Sequence, residues 1–132
     1  MINKIVLDTC FFFCLIQGEE GDKNVEKLLT QAKNRESELI VSLVSYCEIL
    51  YQIKKEPNYE SVRDFLDSLP LILCEVNREI SEYASFIKSK AKISLGDAFA
   101  IGTAMYLKCS VASTDRHEFS KWENDVEILW LR

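Results

Sequence analysis

The segment from Ile93 to Leu107 most constrains how this chain can fold, because Asp97 is its only charged residue. From Ala98 to Leu107 every residue is apolar, small or aromatic, which is typical of a helix enclosed on most sides. Ser94 can cap this helix, and Asp97 then lies in its first turn, near the positive end of the helix dipole. The chain must therefore build a core around a helix that carries one carboxylate at its entrance.

Length and composition predict one domain over residues 1–132, because 132 residues of which 48% are hydrophobic suffice for a real core. No uncharged run is long enough to span a bilayer, and the chain begins with a strand-like segment instead of a secretory leader. We therefore expect a cytoplasmic protein without a membrane partner. The net charge of −5 argues against a broadly basic nucleic-acid surface.

Cysteine and histidine usage disfavours a structural zinc site. The five cysteines are scattered among apolar neighbours with no C-x-x-C pair, and His117 is the single imidazole. We interpret the cysteines as buried, reduced thiols. His117 lies in a polar turn and receives no catalytic role, because activation of water by a metal needs no imidazole.

Short apolar strands alternate with amphipathic helices along the chain. Strands are predicted over residues 4–7, 39–41, 71–74, 109–113 and 127–131, the last at an edge. Helices are predicted over residues 11–16, 22–34, 44–53 and 59–69, around 80–87, and over the enclosed segment, with a turn over 18–22. This order predicts an α/β domain, with a mainly parallel sheet of about five strands between helices on both faces.

Three further acids stand where strands lead into helices. Asp8 closes the first strand, Glu48 follows Ser45 by three residues after the second, and Asp115 ends the fourth. Taken singly, each acid can be explained without a function, as a helix cap or as part of a capping box. Glu118 follows Asp115 at the same capping-box spacing.

These positions together indicate a site. In parallel α/β sheets the strand-to-helix junctions share one edge, where ligands bind, so Asp8, Glu48 and Asp115 should lie there. Asp97 follows a helix, and its arrival at the same edge is inferred from the burial of its own helix. Capping would be served equally well by Ser, Thr or Asn, and it gives no reason for acids at all four places.

Electrostatics suggests what such a cluster holds. Two carboxylates about 4 Å apart repel by roughly 4 kcal/mol at an effective dielectric near 20, so a cation or raised pKa values must offset the repulsion. Oxygen ligands without thiolates or imidazoles favour Mg²⁺ or Mn²⁺. Such ions neutralise charge at a phosphodiester and activate water, which is the chemistry of a nuclease.

Four ordered segments resemble the PIN domains, especially the VapC-type toxins of prokaryotic toxin–antitoxin pairs. No single segment is specific, but their order and spacing cover nearly the whole chain. The segments are Ile5-Val6-Leu7-Asp8-Thr9, Val44-Ser45-Tyr46-Cys47-Glu48-Ile49, Leu95-Gly96-Asp97-Ala98-Phe99-Ala100-Ile101-Gly102-Thr103-Ala104 and Ser113-Thr114-Asp115-Arg116-His117-Glu118-Phe119.

The resemblance implies a PIN-like three-layer α/β/α fold and a Mg²⁺- or Mn²⁺-dependent endoribonuclease. Glu118 matches a position that is often acidic in the family and is an additional candidate ligand. Thr9 matches a hydroxyl residue that commonly supports the first acid, whereas Cys10 departs from the serine that often follows. The implied catalytic and metal-binding acids are Asp8, Glu48, Asp97 and Asp115.

The resemblance also implies partners. It predicts an RNA substrate and a small antitoxin protein, and together with the helices between residues 44 and 69 it predicts a homodimer. The only concentrated positive charge, at Lys88, Lys90 and Lys92, is either a local RNA contact or solvated surface.

Two other functions remain open from the sequence. In one, the chain is a catalytically inactive PIN-like domain kept for partner binding, and the acids are only helix caps. In the other, Asp8 is the nucleophile of an aspartate-based phosphoryl-transfer enzyme. The second is weakened because Cys10 stands two residues after Asp8, where such an enzyme has another acid.

Overall fold

The computed structural model describes residues 2–18 and 22–132, so most of the turn predicted over 18–22 lies outside the described residues. The strands are β1 (Asn3–Leu7), β2 (Ser37–Ser42), β3 (Leu71–Cys74), β4 (Ser110–Ser113) and β5 (Ile128–Trp130). The helices are α1 (Cys10–Gln17), α2 (Asp22–Lys33), α3 (Leu43–Ile53), α4 (Tyr59–Ser68), α5 (Arg78–Lys90), α6 (Leu95–Leu107) and α7 (Arg116–Phe119), and a single 3-10 turn spans Ser120–Trp122.

The five strands form one parallel sheet in the order β3-β2-β1-β4-β5. The chain runs outward from β1 through β2 to β3 and then crosses back to β4 on the other side of β1. The strand order therefore reverses between β1 and β4, and a crevice at the carboxyl ends of these two strands is where open α/β sheets bind ligands. The predicted α/β fold with a sheet of about five strands, including the edge position of β5, is confirmed.

Side chains from the central strands alternate between two cores, as the two-residue period of a strand requires. Ile5 and Leu7 of β1 pack with Leu39 of β2 against α1, α2, α3 and α4. Val6 and Ile40 pack on the opposite face against α5, α6 and the segment around α7. Both faces of the sheet are thus covered, which gives the three layers.

Helix α6 is the enclosed helix that the sequence predicts. Buried residues lie on nearly every side of α6, and its most extensive contact is with α5. Gly102 permits this contact, because a β-carbon there would lie 3.1 Å from the backbone nitrogen of Ala84 and 3.3 Å from the carbonyl oxygen of Ile80. The close approach of α5 positions α6 over the sheet and thereby determines the position of the first turn of α6.

Two details differ from the sequence-based expectations. Of the five cysteines predicted to be buried, Cys14 is buried, Cys10, Cys74 and Cys109 are half-buried, and Cys47 is exposed because it lies on the outer side of α3. The other difference, the start of α3, concerns the site and is described below. Of the helices that the structure describes, none is both long and apolar enough to cross a membrane.

Replacing Gly102 by valine tests the packing of α6. The branched side chain would press on the backbone of α5, which cannot move aside as a side-chain tip can, so we expect a loss of about 1–3 kcal/mol in the free energy of unfolding. Chemical denaturation measures it. Ser89→Val, at an exposed position of α5, is the control and should cost only a few tenths of a kcal/mol. Equal losses in the two variants would contradict the packing role.

Candidate active site

Asp8 lies at the crevice between β1 and β4 and is the most buried acid of the site, with only 2% of its surface exposed. Its Oδ1 accepts a hydrogen bond from the Cys10 backbone N–H at 2.9 Å, and its Oδ2 accepts one from the Ser113 hydroxyl at 2.7 Å. Burial raises the pKa of Asp8, and the hydrogen bonds from Cys10 and Ser113 oppose this effect. The carboxylate is therefore held in one orientation at the carboxyl end of β1.

Ser113 joins the first acid to the last. Its side chain is fully buried at the end of β4, and its oxygen also accepts the backbone N–H of Asp115 at 2.9 Å. One hydroxyl thus fixes Asp8 directly and Asp115 through its backbone. Ser113 was not among the predicted site residues, although its place at the end of a buried strand is a signal in the sequence.

Asp97 reaches the same place from α6. Its backbone N–H donates to the hydroxyl of Ser94 at 3.1 Å, so the predicted N-cap is present. Burial raises the pKa of Asp97 to about 7, with the charges of Asp8 and Asp115 as the next contributions and a smaller one from Glu48. The first turn of α6 therefore brings Asp97 among the other three acids, which strand topology alone does not predict.

The predicted capping box at Glu48 is wrong. The N-cap of α3 is Ser42, whose oxygen accepts the backbone N–H of Val44 at 3.2 Å, because β2 runs directly into the helix without a loop. Ser45 is buried inside the first turn, and its hydroxyl has no hydrogen-bond partner among the described residues. Glu48 lies in the second turn, so helix capping does not explain it.

The carboxylate of Glu48 lies directly against Gly96 of α6. A β-carbon at Gly96 would overlap Oε1 of Glu48 and lie 3.0 Å from Oε2. Burial raises the pKa of Glu48, and the charge of Asp8 adds to the effect. A glycine at the second position of α6 thus makes room for Glu48 to approach the site.

The remaining candidates lie around this cluster. Glu118 donates its backbone N–H to Oδ1 of Asp115 at 3.0 Å, which is the predicted capping interaction. Its own Oε2 is buried, with no hydrogen-bond partner within residues 2–18 and 22–132. His117 is exposed. A buried carboxylate oxygen without a donor is costly, and a nearby cation would offset that cost.

Thr9 occupies the N-cap position of α1 but makes no side-chain capping hydrogen bond. The hydrogen bonds to Asp8 come instead from Cys10 and Ser113. The sulfur of Cys10 accepts the backbone N–H of Thr114 at 3.2 Å, and burial raises the pKa of the Cys10 thiol. Cys10 therefore stays protonated, and its hydrogen bond with Thr114 connects the end of β1 to the end of β4. It does so although a serine often occupies this position in the family.

The three lysines of the predicted basic patch, Lys88, Lys90 and Lys92, are exposed around the link from α5 to α6. Lys88 donates from Nζ to the carbonyl of Ile93 at 2.8 Å. Lys90 places its ammonium 5.7 Å from the ring centre of Phe86. A role of these three lysines in binding RNA stays a prediction.

The donor set fits a hard divalent cation. The described residues contain no ready-made group of three Asp, Glu, His or Cys side chains that could hold a metal. Mg²⁺, however, is usually held by one or two carboxylates together with waters and substrate phosphates. Asp8, Glu48, Asp97 and Asp115 come from four segments with no imidazole among them, and carboxylates of this kind are suitable ligands for such an ion.

Residues 5–123 match the family model of the PIN domain. The chain belongs to the PIN domain family. The match covers most of the chain and confirms the resemblance carried by the four segments. A comparison with curated proteins finds no match for this PIN domain.

Solved structures share the fold of this PIN domain at low sequence identity. DNA-bound VapBC from Salmonella typhimurium matches with a TM-score of 0.78 and 16% identity over 100% of both chains. A toxin–antitoxin complex from Klebsiella pneumoniae matches with a TM-score of 0.74 and 16% identity over 97% of this chain and 98% of the other. VapC20 from Mycobacterium tuberculosis, a Sarcin-Ricin loop cleaving toxin, matches with a TM-score of 0.67 and 12% identity over 89% and 94%.

The raised pKa of Asp97 predicts how the stability of the metal-free protein depends on pH. In the unfolded chain Asp97 loses its proton near its ordinary value of 3.8, whereas in the folded chain it does so near 7. Between these values the unfolded state binds fewer protons, so the free energy of unfolding should fall as the pH rises from about 4 to about 7. Urea denaturation in EDTA at several pH values measures this fall.

Asp97→Asn should make that fall smaller, because Asp8 and Glu48 keep their own contributions in the same direction. At pH 8 the metal-free variant should be at least as stable as the parent, since one repelling charge is gone. The matched control is Glu79→Gln, an acid in the first turn of α5, which should keep the parent's pH dependence. If Asp97→Asn also keeps it, Asp97 is only a helix cap.

Gly96→Ala should separate stability from metal binding. Alanine is favoured over glycine in a helix by about 0.5–1 kcal/mol, and the new β-carbon meets only the flexible end of Glu48. We therefore expect an unchanged or higher melting temperature in EDTA but a smaller stabilisation by Mn²⁺ than in the parent. In a Glu48→Gln background the same substitution should have no further effect on the Mn²⁺ response. An unchanged Mn²⁺ response in Gly96→Ala itself would exclude Glu48 as a ligand.

Proposed function

We propose that this PIN domain is a Mg²⁺- or Mn²⁺-dependent endoribonuclease. The observation that carries the proposal is the convergence of four acids from separate segments. One of them, Glu48, lies against Gly96 and is not explained by helix capping. Mutually repelling carboxylates in a partly buried crevice are costly unless a cation holds them. The site therefore suits metal-assisted hydrolysis.

Each acid has a distinct place in this proposal. Asp8 and Asp115 are held rigidly through Ser113, so they form the fixed side of the site. Asp97 enters from the capped end of α6, and Glu48 from α3 across Gly96. Together they would hold the cation, with Glu118 as an additional ligand and with Cys10 and Ser113 supporting Asp8.

When bound, the metal supplies a positive charge that stabilises the phosphodiester in the transition state and lowers the pKa of attacking water. The chain's own contribution is to bind and orient. The rigid Asp8–Ser113–Asp115 connection keeps two carboxylates aimed into the crevice before the substrate arrives, which reduces the reorganisation needed during the reaction.

Nucleophilic catalysis by Asp8 is disfavoured by the same contacts. Both of its oxygens accept hydrogen bonds, from Cys10 and Ser113, and the side chain is almost fully buried. An attacking carboxylate needs a free oxygen that can approach phosphorus. The aspartate-based phosphoryl-transfer alternative therefore has no support from the geometry.

We further propose that the chain is the toxin of a toxin–antitoxin pair, acts on RNA in the cytoplasm, binds a small antitoxin protein and forms a homodimer. Structural neighbours with the same fold include a toxin–antitoxin complex and DNA-bound VapBC. Another neighbour, VapC20, is described as a Sarcin-Ricin loop cleaving toxin. Tyr51 of α3 and Phe65 of α4 are exposed large side chains in the region predicted to meet partners. They support a protein interface on these helices.

The activity is tested directly with purified protein and RNA. Incubation with Mn²⁺ should yield discrete fragments, EDTA should suppress them, and Asp97→Asn should lose the activity while Glu79→Gln keeps it. Denaturing gels resolve the products. Full cleavage in EDTA, or full activity of Asp97→Asn, would contradict the metal mechanism. If the parent is inactive and its melting temperature is the same with and without Mn²⁺, the partner-binding alternative is favoured.

The lysine patch is tested by replacing Lys88, Lys90 and Lys92 together by glutamine. Because the net charge of −5 opposes long-range attraction, these local charges should matter, and RNA binding should weaken and become less salt-dependent. The matched control removes three exposed lysines from α2, on the other face of the sheet, Lys23, Lys27 and Lys33. Equal effects in the two triple variants would show that only net charge matters.

A further inference from the structure

Arg116 is an exposed cation immediately after the acid Asp115, and it is held in place from two sides. Its guanidinium carbon lies 4.4 Å from the ring centre of Trp130, and its Nη2 donates to the carbonyl of Arg132 at 2.8 Å. A stacked guanidinium that also donates to the backbone loses little conformational freedom when it binds a further group.

No Asp or Glu side chain of the described residues forms an ion pair with Arg116. Within the described residues the ion pairs are Arg63 with Asp67 and Arg78 with Glu82, and Arg116 forms none, although Asp115 is its neighbour in sequence. Oδ1 of Asp115 instead accepts the backbone N–H of Glu118. An aromatic ring and a main-chain oxygen orient the guanidinium, and the hydrogen bond to Arg132 uses one of its five N–H donors.

The position of Arg116 relative to the acids follows from the strand register. Trp130 pairs with Ser113, the residue whose hydroxyl donates to Asp8, and the backbone N–H of Leu131 donates to the carbonyl of Ser113 at 3.0 Å. Strands in a sheet are about 4.8 Å apart, so Trp130 lies about 10 Å from β1 across two strand spacings. The Arg116–Trp130 pair is therefore at the β5 side of the acidic crevice.

We propose that Arg116, stacked on Trp130, is a phosphate-binding residue that holds an RNA backbone phosphate next to the one being cleaved. This rests on the proposed ribonuclease function and names how its substrate is held. A guanidinium can make paired hydrogen bonds to phosphate oxygens, which an ammonium cannot. It also places a positive charge at the rim of a site whose acids repel RNA, on the β5 side, whereas the lysine patch lies at the link from α5 to α6.

The test measures binding of a single-stranded RNA oligonucleotide by fluorescence anisotropy at several salt concentrations. Ca²⁺ replaces Mn²⁺ because it also takes carboxylate ligands, and gels verify that the RNA stays intact. Arg116→Gln should bind about two- to fivefold more weakly, as expected for one surface charge contact. Its plot of log affinity against log salt should be less steep by about 0.7, the value for one phosphate contact to a single strand.

Two further variants separate this role from a structural one. Arg116→Lys keeps the charge and should keep the parent's salt slope with reduced affinity, because it loses the paired hydrogen bonds. Arg78→Gln removes an equal charge from α5 and should behave like the parent. The proposal is overturned if Arg116→Gln keeps the parent's affinity and slope, if Arg78→Gln loses as much as Arg116→Gln, or if the parent binds no RNA.

Cleavage assays then distinguish this proposal from the proposed function. A parent that cleaves RNA, with an Arg116→Gln variant of unchanged KM and kcat, overturns the role of Arg116 alone. A parent that fails to cleave RNA but loses binding with Arg116→Gln overturns the ribonuclease proposal and leaves the phosphate contact standing. The expected result is a raised KM in Arg116→Gln with a smaller change in kcat, because the residue binds a phosphate outside the reacting one.

Discussion

A single buried carboxylate, that of Asp8, is the constraint on which the rest of the site depends. It can lie in the interior because Cys10 and Ser113 donate hydrogen bonds to its two oxygens. The donor from Ser113 requires the ends of β1 and β4 to be adjacent, which the reversal of strand order provides. The fold therefore determines where the first acid sits, and Ser113 carries that position on to Asp115.

The other two acids reach this point through close packing between helices. Gly102 lets α6 approach α5, and Gly96 lets Glu48 of α3 lie against the first turn of α6. A side chain at either position would move α6 or Glu48 away from Asp8. Small residues in an otherwise well-packed helix thus bring charged groups together, and burial, with a further contribution from the neighbouring acids, raises the pKa values of Asp97 and Glu48.

Much of this could be predicted from the sequence, because apolar periodicity reports strands and helices directly. The elements, the sheet of about five strands and the PIN family were predicted and are confirmed. The cap at Ser42 was missed because Ser45 and Glu48 have the spacing of a capping box, and spacing does not show that β2 enters α3 without a loop. Ser113, Gly96 and Arg116 matter through contacts between residues far apart in the chain, and no local pattern encodes those contacts.

The central claim is that carboxylates from four segments form a binding site for a divalent cation. Anomalous diffraction from crystals soaked in Mn²⁺ tests it most directly, because manganese is located independently of any assay of activity. The account predicts a peak in the crevice between β1 and β4, within coordination distance of carboxylate oxygens of Asp8 and of at least one of Asp97 and Asp115. A crevice without such a peak at saturating Mn²⁺, or manganese bound only elsewhere on the protein, would contradict it.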